Sequence, residues 1–358
     1  MFFGGGMEMW AAGGLATAIG SLPHHEPQAA LDLIETWLGA IPHWPQLPLR
    51  GPQEGLVLQF LNPLLQTGLL EREGEKIRFA TGAADWPDRL AAFYMLYLAV
   101  EEGDEDALQQ FAIPPEAASG FYAFLERTAG DARGVKGQVV GPLTAAFQLT
   151  DAEGRPAYYD EQLRDVVVKS VALQGRWQAR ALSGLGLRAL IFVDEPGVSV
   201  YGQSTYITVT REMIREDLDA VVDGIHAAGA LAGIHSCSAV DWSILMDTRT
   251  EVLSLDAYGY FDSLLPFRAE LGDFLVRGGV VAWGIVPASE RAFEESVESL
   301  VERLEQYWAQ LSGRGITREQ LQRQALITPS CGAGTLTVEL AERIYALTAG
   351  VSDALRSG

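Results

Sequence analysis

The chain has 358 residues, of which 48% are apolar and 20% charged, and its formal net charge is −21. This composition predicts a globular protein with a large core, and the excess of acidic residues argues against a nucleic-acid partner, which requires basic surface. Two cysteines exclude a disulfide framework. With no signal-peptide pattern at residues 1–20 and no apolar run of the roughly 18 residues that a membrane helix needs, we expect a cytoplasmic protein without a membrane partner.

Eight short apolar runs that end in turn-forming residues follow one another along the chain. They occupy residues 15–21, 41–48, 135–142, 187–196, 230–238, 251–258, 278–287 and 325–332. Strands that are buried on both faces of a parallel sheet have such runs. Helical periodicity between them is clearest at 161–184, 215–229 and 290–313. Alternating strands and helices predict an α/β fold, a (β/α)8 TIM barrel, as a single domain over residues 1–358.

The stretch from about residue 50 to 131 interrupts this alternation. Its segments "GLVLQFLNPLL" and "KIRFATG" predict a small hairpin or helical insertion after the second strand. The acidic run "EEGDED" at 101–106 is typical of a solvated loop or helix end. No segment has the composition of a linker between two domains.

Unusual polar residues stand where the predicted strands end. These positions carry Gly20-Ser21, Asp194-Glu195, His235-Ser236-Cys237, Asp256 and Cys331-Gly332. Barrel enzymes place their chemistry at the carboxyl ends of the strands. We therefore expect the active site at this end of the barrel.

A histidine and a cysteine lie two residues apart in "GIHSCS". Side chains at i and i+2 of a strand project to the same face, which places the Cα atoms of His235 and Cys237 about 6–7 Å apart. Cys331, the other cysteine, ends the eighth predicted strand, and the glycines after it favour a turn into the last helix, whose N-terminus stabilises a thiolate. One imidazole and two thiolates form a three-ligand zinc site with an open position.

A zinc ion in such a site deprotonates a coordinated thiol, so the open position favours activation of a substrate thiol for methylation. A lone His-x-Cys is a weak motif, however, and free cysteines are usually small buried apolar residues. The involvement of both cysteines, each at a predicted strand end, favours the metal interpretation.

Five motifs carry a resemblance to a known family. In their order and spacing, "ATAIGSLP", "FVDEPG", "IHSC", "LSLD" and "ITPSCG" resemble the catalytic C-terminal barrel of cobalamin-independent methionine synthase. The resemblance implies that His235, Cys237 and Cys331 hold zinc, and that Asp256 completes the site when substrate is absent. It also implies substrate contacts, which are Ile19, Gly20 and Ser21 against homocysteine and Asp194 on its amino group. A carboxylate at a strand end suits an ammonium partner.

The chain departs from the family pattern in several places. Asp256 stands where the family has Glu, and Val200 stands where an acidic residue is expected six positions after Asp194. The Arg-Cys pair of the family's folate site is absent from the sequence, and a chain of this length has room for only one of the family's two barrels. We expect zinc-dependent methylation of homocysteine to methionine, with a methylated corrinoid protein or 5-methyltetrahydrofolate as the donor.

Further residues near the predicted mouth are additional candidates for the site. Glu195 is either a substrate contact or a structural hydrogen-bond partner. His24 and His25 lie on the first loop, and Tyr258 and Tyr260 are candidate walls of the pocket.

Three alternative functions stay open at this point. They are a related barrel methyltransferase with another thiol acceptor, a metal-free barrel resembling uroporphyrinogen decarboxylase, and a non-catalytic barrel. The last would carry structural zinc or bind a corrinoid carrier.

Overall fold

The structure is a computed structural model that describes residues 12–74, 76–127, 130–313 and 315–357. Its strands are β1 (Leu15–Ala16), β2 (Leu70–Glu73), β3 (Lys76–Phe79), β4 (Val135–Val140), β5 (Ala189–Asp194), β6 (Leu231–Ser236), β7 (Val252–Leu255), β8 (Val280–Val286) and β9 (Ala325–Pro329). Its helices are α1 (Pro27–Leu38), α2 (Asn62–Gln66), α3 (Trp86–Glu101), α4 (Glu105–Gln109), α5 (Ser119–Leu125), α6 (Pro142–Gln148), α7 (Glu161–Ser183), α8 (Arg211–Ala227), α9 (Trp242–Met246), α10 (Ala257–Tyr260), α11 (Arg268–Val276), α12 (Val297–Leu311), α13 (Arg318–Arg323) and α14 (Val338–Ser357).

Seven strands form one parallel sheet in the order β1-β9-β8-β7-β6-β5-β4. The α/β class and the alternation of buried strands with helices are therefore confirmed. The order places strands that follow one another from β4 to β9 side by side, as in a barrel wall.

The prediction of eight regular strands is wrong at the second position. The predicted strand at 41–48 is instead an irregular segment that touches both edges of the sheet through isolated bridges, Ser21 with Gln46 and His43 with Lys136. Three prolines in "IPHWPQLP" explain the difference, because a proline has no N–H to donate to a ladder. The sheet is consequently a curled seven-stranded one in the described residues, and not a closed barrel of eight regular strands.

Side chains alternate between two apolar layers along each strand. Leu190 and Phe192 of β5 lie in a small inner cluster with residues of β6 to β9, whereas Ile191 and Val193 belong to the larger cluster beneath the helices. Residues at i and i+2 share a face, so Asp194 and His235 continue the inner rows of β5 and β6. The inner rows thus bring polar side chains to the carboxyl end of the sheet.

The helices match the predicted periodicity, with shifted boundaries. The pattern at 161–184 becomes α7, while α12 begins seven residues later than 290 because Ser296 forms a capping box with Ser299. In the insertion, β3 lies in the predicted second strand of the hairpin, but its partner β2 is at residues 70–73, whereas the predicted first strand contains helical turns at 58–60 and 62–66. The acidic run ends α3 and begins α4.

Within the described ranges, we find no helix with both the length and the apolar character needed to cross a bilayer.

Candidate active site

Three side chains converge at the carboxyl end of the sheet. The candidate ligand atoms of His235, Cys237 and Cys331 all lie within 4.8 Å of one another. Among the residues that the structure describes, they form the one group of three or more His, Cys, Asp or Glu with this geometry. The structure thus brings together the three residues that the sequence predicts as ligands.

The imidazole of His235 is oriented by a neighbouring strand. Its Nδ1 is 2.9 Å from Ser254 Oγ, and the two residues are register partners on β6 and β7. Its Nε2 is buried and has no hydrogen-bond partner. When Nδ1 donates its hydrogen to Ser254, Nε2 presents a lone pair, which is the arrangement of a metal-ligating histidine with a second partner.

The two thiols influence each other directly. The hydrogen bond from the Cys331 thiol, together with His235, lowers the pKa of Cys237 to about 4. The same bond with Cys237, followed by burial, raises the pKa of Cys331. The hydrogen bond between the two thiols thus favours one thiolate within the pair, and thiolate sulfur is a ligand that zinc accepts.

The expected helix N-terminus is not at Cys331. The last helix, α14, begins at Val338, so the stabilisation of a Cys331 thiolate by a helix end, expected from the sequence, is wrong. The two glycines that follow, Gly332 and Gly334, instead pack closely against Ser21, where a Cβ at Gly332 would lie 2.2 Å from Ser21 Oγ. These glycines allow the segment after β9 to pack closely against the segment after β1.

A cavity of about 340 Å³ opens beside the three side chains. Besides His235, Cys237 and Cys331, its polar lining comprises Ser21, Gln46, Asp194 and Thr335, and Ile19, Pro48 and Leu56 contribute apolar surface. This volume is at the lower end of the range for small-molecule sites and suits a ligand the size of an amino acid.

Asp194 lies in the cavity wall, and one of its carboxylate oxygens has no hydrogen-bond partner. It is 7% exposed, and its Oδ1 is buried with no hydrogen-bond partner. Burial raises the pKa of Asp194 to about 6, and the nearby Lys136 and His235 oppose that rise. A buried acceptor without a partner is unfavourable unless a ligand satisfies it, so Asp194 suits a cationic group of a substrate.

The first loop supplies a second wall. Ile19 and Ser21 line the cavity, and Ser21 Oγ accepts a hydrogen bond of 3.1 Å from the Gly334 N–H. Gly20 lies between them with φ +146, and a Cβ there would be 2.6 Å from the Gln138 side chain. Only glycine fits that position without strain.

Glu195 lies outside the cavity lining, and its carboxylate is hydrogen-bonded to backbone N–H groups. It is fully buried, and its carboxylate accepts hydrogen bonds from the N–H groups of Leu143 (2.8 Å), Thr144 (2.9 Å) and Gly197 (3.0 Å). Leu143 and Thr144 belong to the first turn of α6, whose N–H groups have no partners within the helix. This placement corresponds to the structural alternative for Glu195.

Asp256 is near the three ligands but is not a member of their group. Its Oδ1 accepts a 2.7 Å hydrogen bond from the Gly259 N–H and so caps α10. Burial raises the pKa of Asp256 to about 6. Direct ligation by Asp256 stays a prediction.

The aromatic and histidine candidates lie away from the cavity lining. The Tyr258 hydroxyl donates to Glu295 at 2.8 Å, and Tyr260 is 42% exposed. His24 is buried with an unpartnered Nδ1, and His25 is exposed. None of the four borders the cavity as described.

Sequence reasoning missed Ser254, Gln46 and Lys136. Ser254 precedes Asp256 by two residues and therefore shares its face, a spacing that is visible in "LSLD". Lys136 is a lysine within an apolar run, which is unusual for a residue that is seldom buried. Gln46 had no signal, because it lies in the proline-rich segment.

No protein-family model matches the sequence, and neither does any curated protein. Among solved structures, the chain is similar to a B12-independent methionine synthase from Shewanella sp. W3-18-1 in complex with selenomethionine, with 15% identity over 63% of this chain and 62% of that one, and a TM-score of 0.44. It is also similar to a putative vitamin-B12 independent methionine synthase from Listeria monocytogenes, with 13% identity over 64% of this chain and 68% of that one, and a TM-score of 0.44. The match spans less than two thirds of the Shewanella protein.

Proposed function

We propose that this protein is a zinc-dependent S-methyltransferase that methylates homocysteine to methionine. The observation that carries the proposal is the convergence of His235, Cys237 and Cys331 beside a cavity of amino-acid size. Asp194, whose Oδ1 has no hydrogen-bond partner, lies in the wall of the same cavity.

The three side chains fit zinc. Their donor set is one imidazole nitrogen and two sulfurs, a combination that zinc binds with a fourth position open. The buried Nε2 of His235 has no hydrogen-bond partner, as expected of an atom that binds a metal. Zinc held by these residues would lower the pKa of a thiol in the open position.

The protein's own residues orient the substrate. We assign Asp194 to the ammonium group of homocysteine, because its Oδ1 lacks any other donor. Ile19, Gly20 and Ser21 form the wall that limits how the substrate lies. Fixing the thiol relative to a methyl donor supplies a large part of the acceleration in transfers of this kind.

The choice of acceptor and donor rests on the motifs. The segments "ATAIGSLP", "FVDEPG" and "IHSC" favour homocysteine as the thiol. A methylated corrinoid protein or 5-methyltetrahydrofolate is the proposed donor, and Val200 in place of an acidic residue favours the former. Asp256 is proposed to complete the zinc site before substrate binds, through the oxygen that does not cap α10.

A transfer assay tests this function. Zinc-loaded protein is incubated with homocysteine and either methylcobalamin or methyltetrahydrofolate, and methionine is measured by mass spectrometry. We expect methionine with one of the donors. Methionine from neither, in a preparation with one zinc per chain, would overturn the proposal.

Ser254→Ala is expected to weaken zinc binding by about 10- to 100-fold, the usual effect of removing the second partner of a ligating histidine. The reason is that His235 Nδ1 loses the hydroxyl at 2.9 Å that fixes the ring. Competition with a chromophoric chelator measures the affinity. Ser357→Ala, at the exposed end of α14, is the matched control. Equal zinc affinity in both variants would contradict the assignment.

Glu195→Gln is expected to destabilise the fold by about 1–3 kcal/mol, because an amide NH₂ would face backbone N–H donors that the carboxylate now accepts. Urea unfolding measures the loss. Zinc content and KM for homocysteine are expected to stay unchanged, since Glu195 lies outside the cavity. Glu302→Gln, on the exposed face of α12, is the control. A raised KM at wild-type stability would instead make Glu195 a substrate contact.

A further inference from the structure

Lys136 is a fully buried lysine on the inner face of β4. Its ammonium lies 4.6 Å from the centre of the Phe192 ring, within the inner apolar cluster. No carboxylate among the described residues forms an ion pair with it within 4.0 Å. Its nearby opposite charge is Asp194, beyond ion-pair distance, which opposes the lowering of the pKa of Lys136 by burial. A lysine that is buried without a direct ion pair is unfavourable unless its donors are satisfied in another way.

The ammonium binds the loop that follows the first strand. Lys136 Nζ donates to the carbonyl oxygen of Ile19 and, at 3.2 Å, to Gln138 Oε1. Gln138 in turn donates through Nε2 to the Trp44 carbonyl oxygen at 3.3 Å and packs beneath Gly20. The side chains of Lys136 and Gln138 on β4 therefore connect the first loop to the irregular segment at 42–46.

These connections lie where the sheet has no regular ladder. Strand β1 contains only Leu15 and Ala16, and the segment at 42–46 meets its neighbours through isolated bridges. The bridge between the two segments consists of the Gln46 N–H on the Gly20 carbonyl (3.0 Å) and the Leu22 N–H on the Gln46 carbonyl (2.9 Å). Side-chain bonds from β4 replace part of the backbone bonding that an eighth strand would supply.

We infer that Lys136 is a positioning residue, which holds the Ile19–Ser21 loop and the Gln46 segment together as one wall of the substrate cavity. Ile19, Ser21 and Gln46 all line that cavity, so displacement of the carbonyl that Lys136 binds changes the cavity's shape. The three proposed zinc ligands lie on β6, β9 and the residues that follow them, and do not depend on this contact. The effect of Lys136 on homocysteine binding rests on the proposed function, whereas its effect on the cavity wall does not.

The test is hydrogen–deuterium exchange of Lys136→Met, which keeps an unbranched side chain one atom shorter and removes the charge and the donors. We expect the amides of Leu22 and Gln46 to exchange at least about tenfold faster, because their local opening becomes easier. Peptides from β6 and β7 are expected to keep wild-type exchange, and zinc content is expected to stay at the wild-type value. Lys169→Met, a half-buried lysine on α7 that pairs with Asp165 away from the cavity, is the matched control.

Kinetics provide the second readout. KM for homocysteine is expected to rise about tenfold in Lys136→Met with kcat within about twofold of wild type, since the wall orients the substrate without touching the reacting sulfur. If Lys136→Met exchanges faster but the wild-type protein transfers no methyl group, the positioning role is supported and the enzymatic function is rejected. Unchanged exchange at Leu22 and Gln46, or equal acceleration throughout the sheet, would overturn the positioning role.

A second variant tests the same inference if Lys136→Met does not fold. Gln138→Leu keeps the ammonium but removes its acceptor and the bond to the Trp44 carbonyl. The same amides are expected to exchange faster in it, and wild-type exchange there would reject the inference.

Discussion

Cys237→Ser is expected to abolish zinc binding and to lower methyl transfer by at least about a hundredfold, because even the loss of a ligand's second partner reduces affinity or activity 10- to 100-fold. Serine replaces a sulfur whose pKa its neighbours lower to about 4 with a hydroxyl that stays protonated at neutral pH. Elemental analysis of the purified protein gives the zinc content. Methionine formation gives the rate.

The control for this variant is Ser236→Ala, one residue away in the same strand end. Ser236 is fully buried and its Oγ has no hydrogen-bond partner, so alanine removes an unsatisfied group. Zinc and activity are expected at wild-type values in this control. A Cys237→Ser protein with a full complement of zinc would contradict the ligand assignment.

Asp194→Asn is expected to raise KM for homocysteine with zinc content unchanged. A hydrogen bond to a charged group contributes about 1.5–3 kcal/mol, which is roughly a 10- to 150-fold change in binding. Asparagine keeps the shape of Asp194 but lacks the charge that its ammonium partner requires. Steady-state kinetics and metal analysis separate the two quantities.

The substrate itself offers the matched control for Asp194. The desamino analogue of homocysteine has the same thiol and carboxylate but no ammonium, so it gains nothing from Asp194. Wild-type protein is expected to prefer homocysteine strongly, and Asp194→Asn is expected to show little preference. A preserved preference in the variant would place the ammonium elsewhere in the cavity.

The position of the site could be predicted because it depends on strand periodicity. His235 and Cys237 share a face through their spacing, and Asp194 follows the inner row of Leu190 and Phe192. Cys331 joins them because β9 ends at the same edge of the sheet. Each of these placements follows from local geometry and from the parallel order of the strands.

The rest depends on contacts between segments distant in the chain. The prolines at 42, 45 and 48 disrupt a strand that composition alone predicts. Glu195 follows Asp194 directly, yet its carboxylate binds the start of α6 because of how that helix packs. Periodicity does not reveal the partner of Lys136, since the Ile19 carbonyl is over a hundred residues away.

The proposed function requires that His235, Cys237 and Cys331 hold zinc and leave a position for a thiol. X-ray absorption at the zinc edge tests it most directly, on purified protein with and without homocysteine. We predict two sulfur ligands and at least one nitrogen before addition, and a third sulfur afterwards. A protein that binds no zinc, or zinc whose sulfur count stays the same at saturating homocysteine, would contradict it.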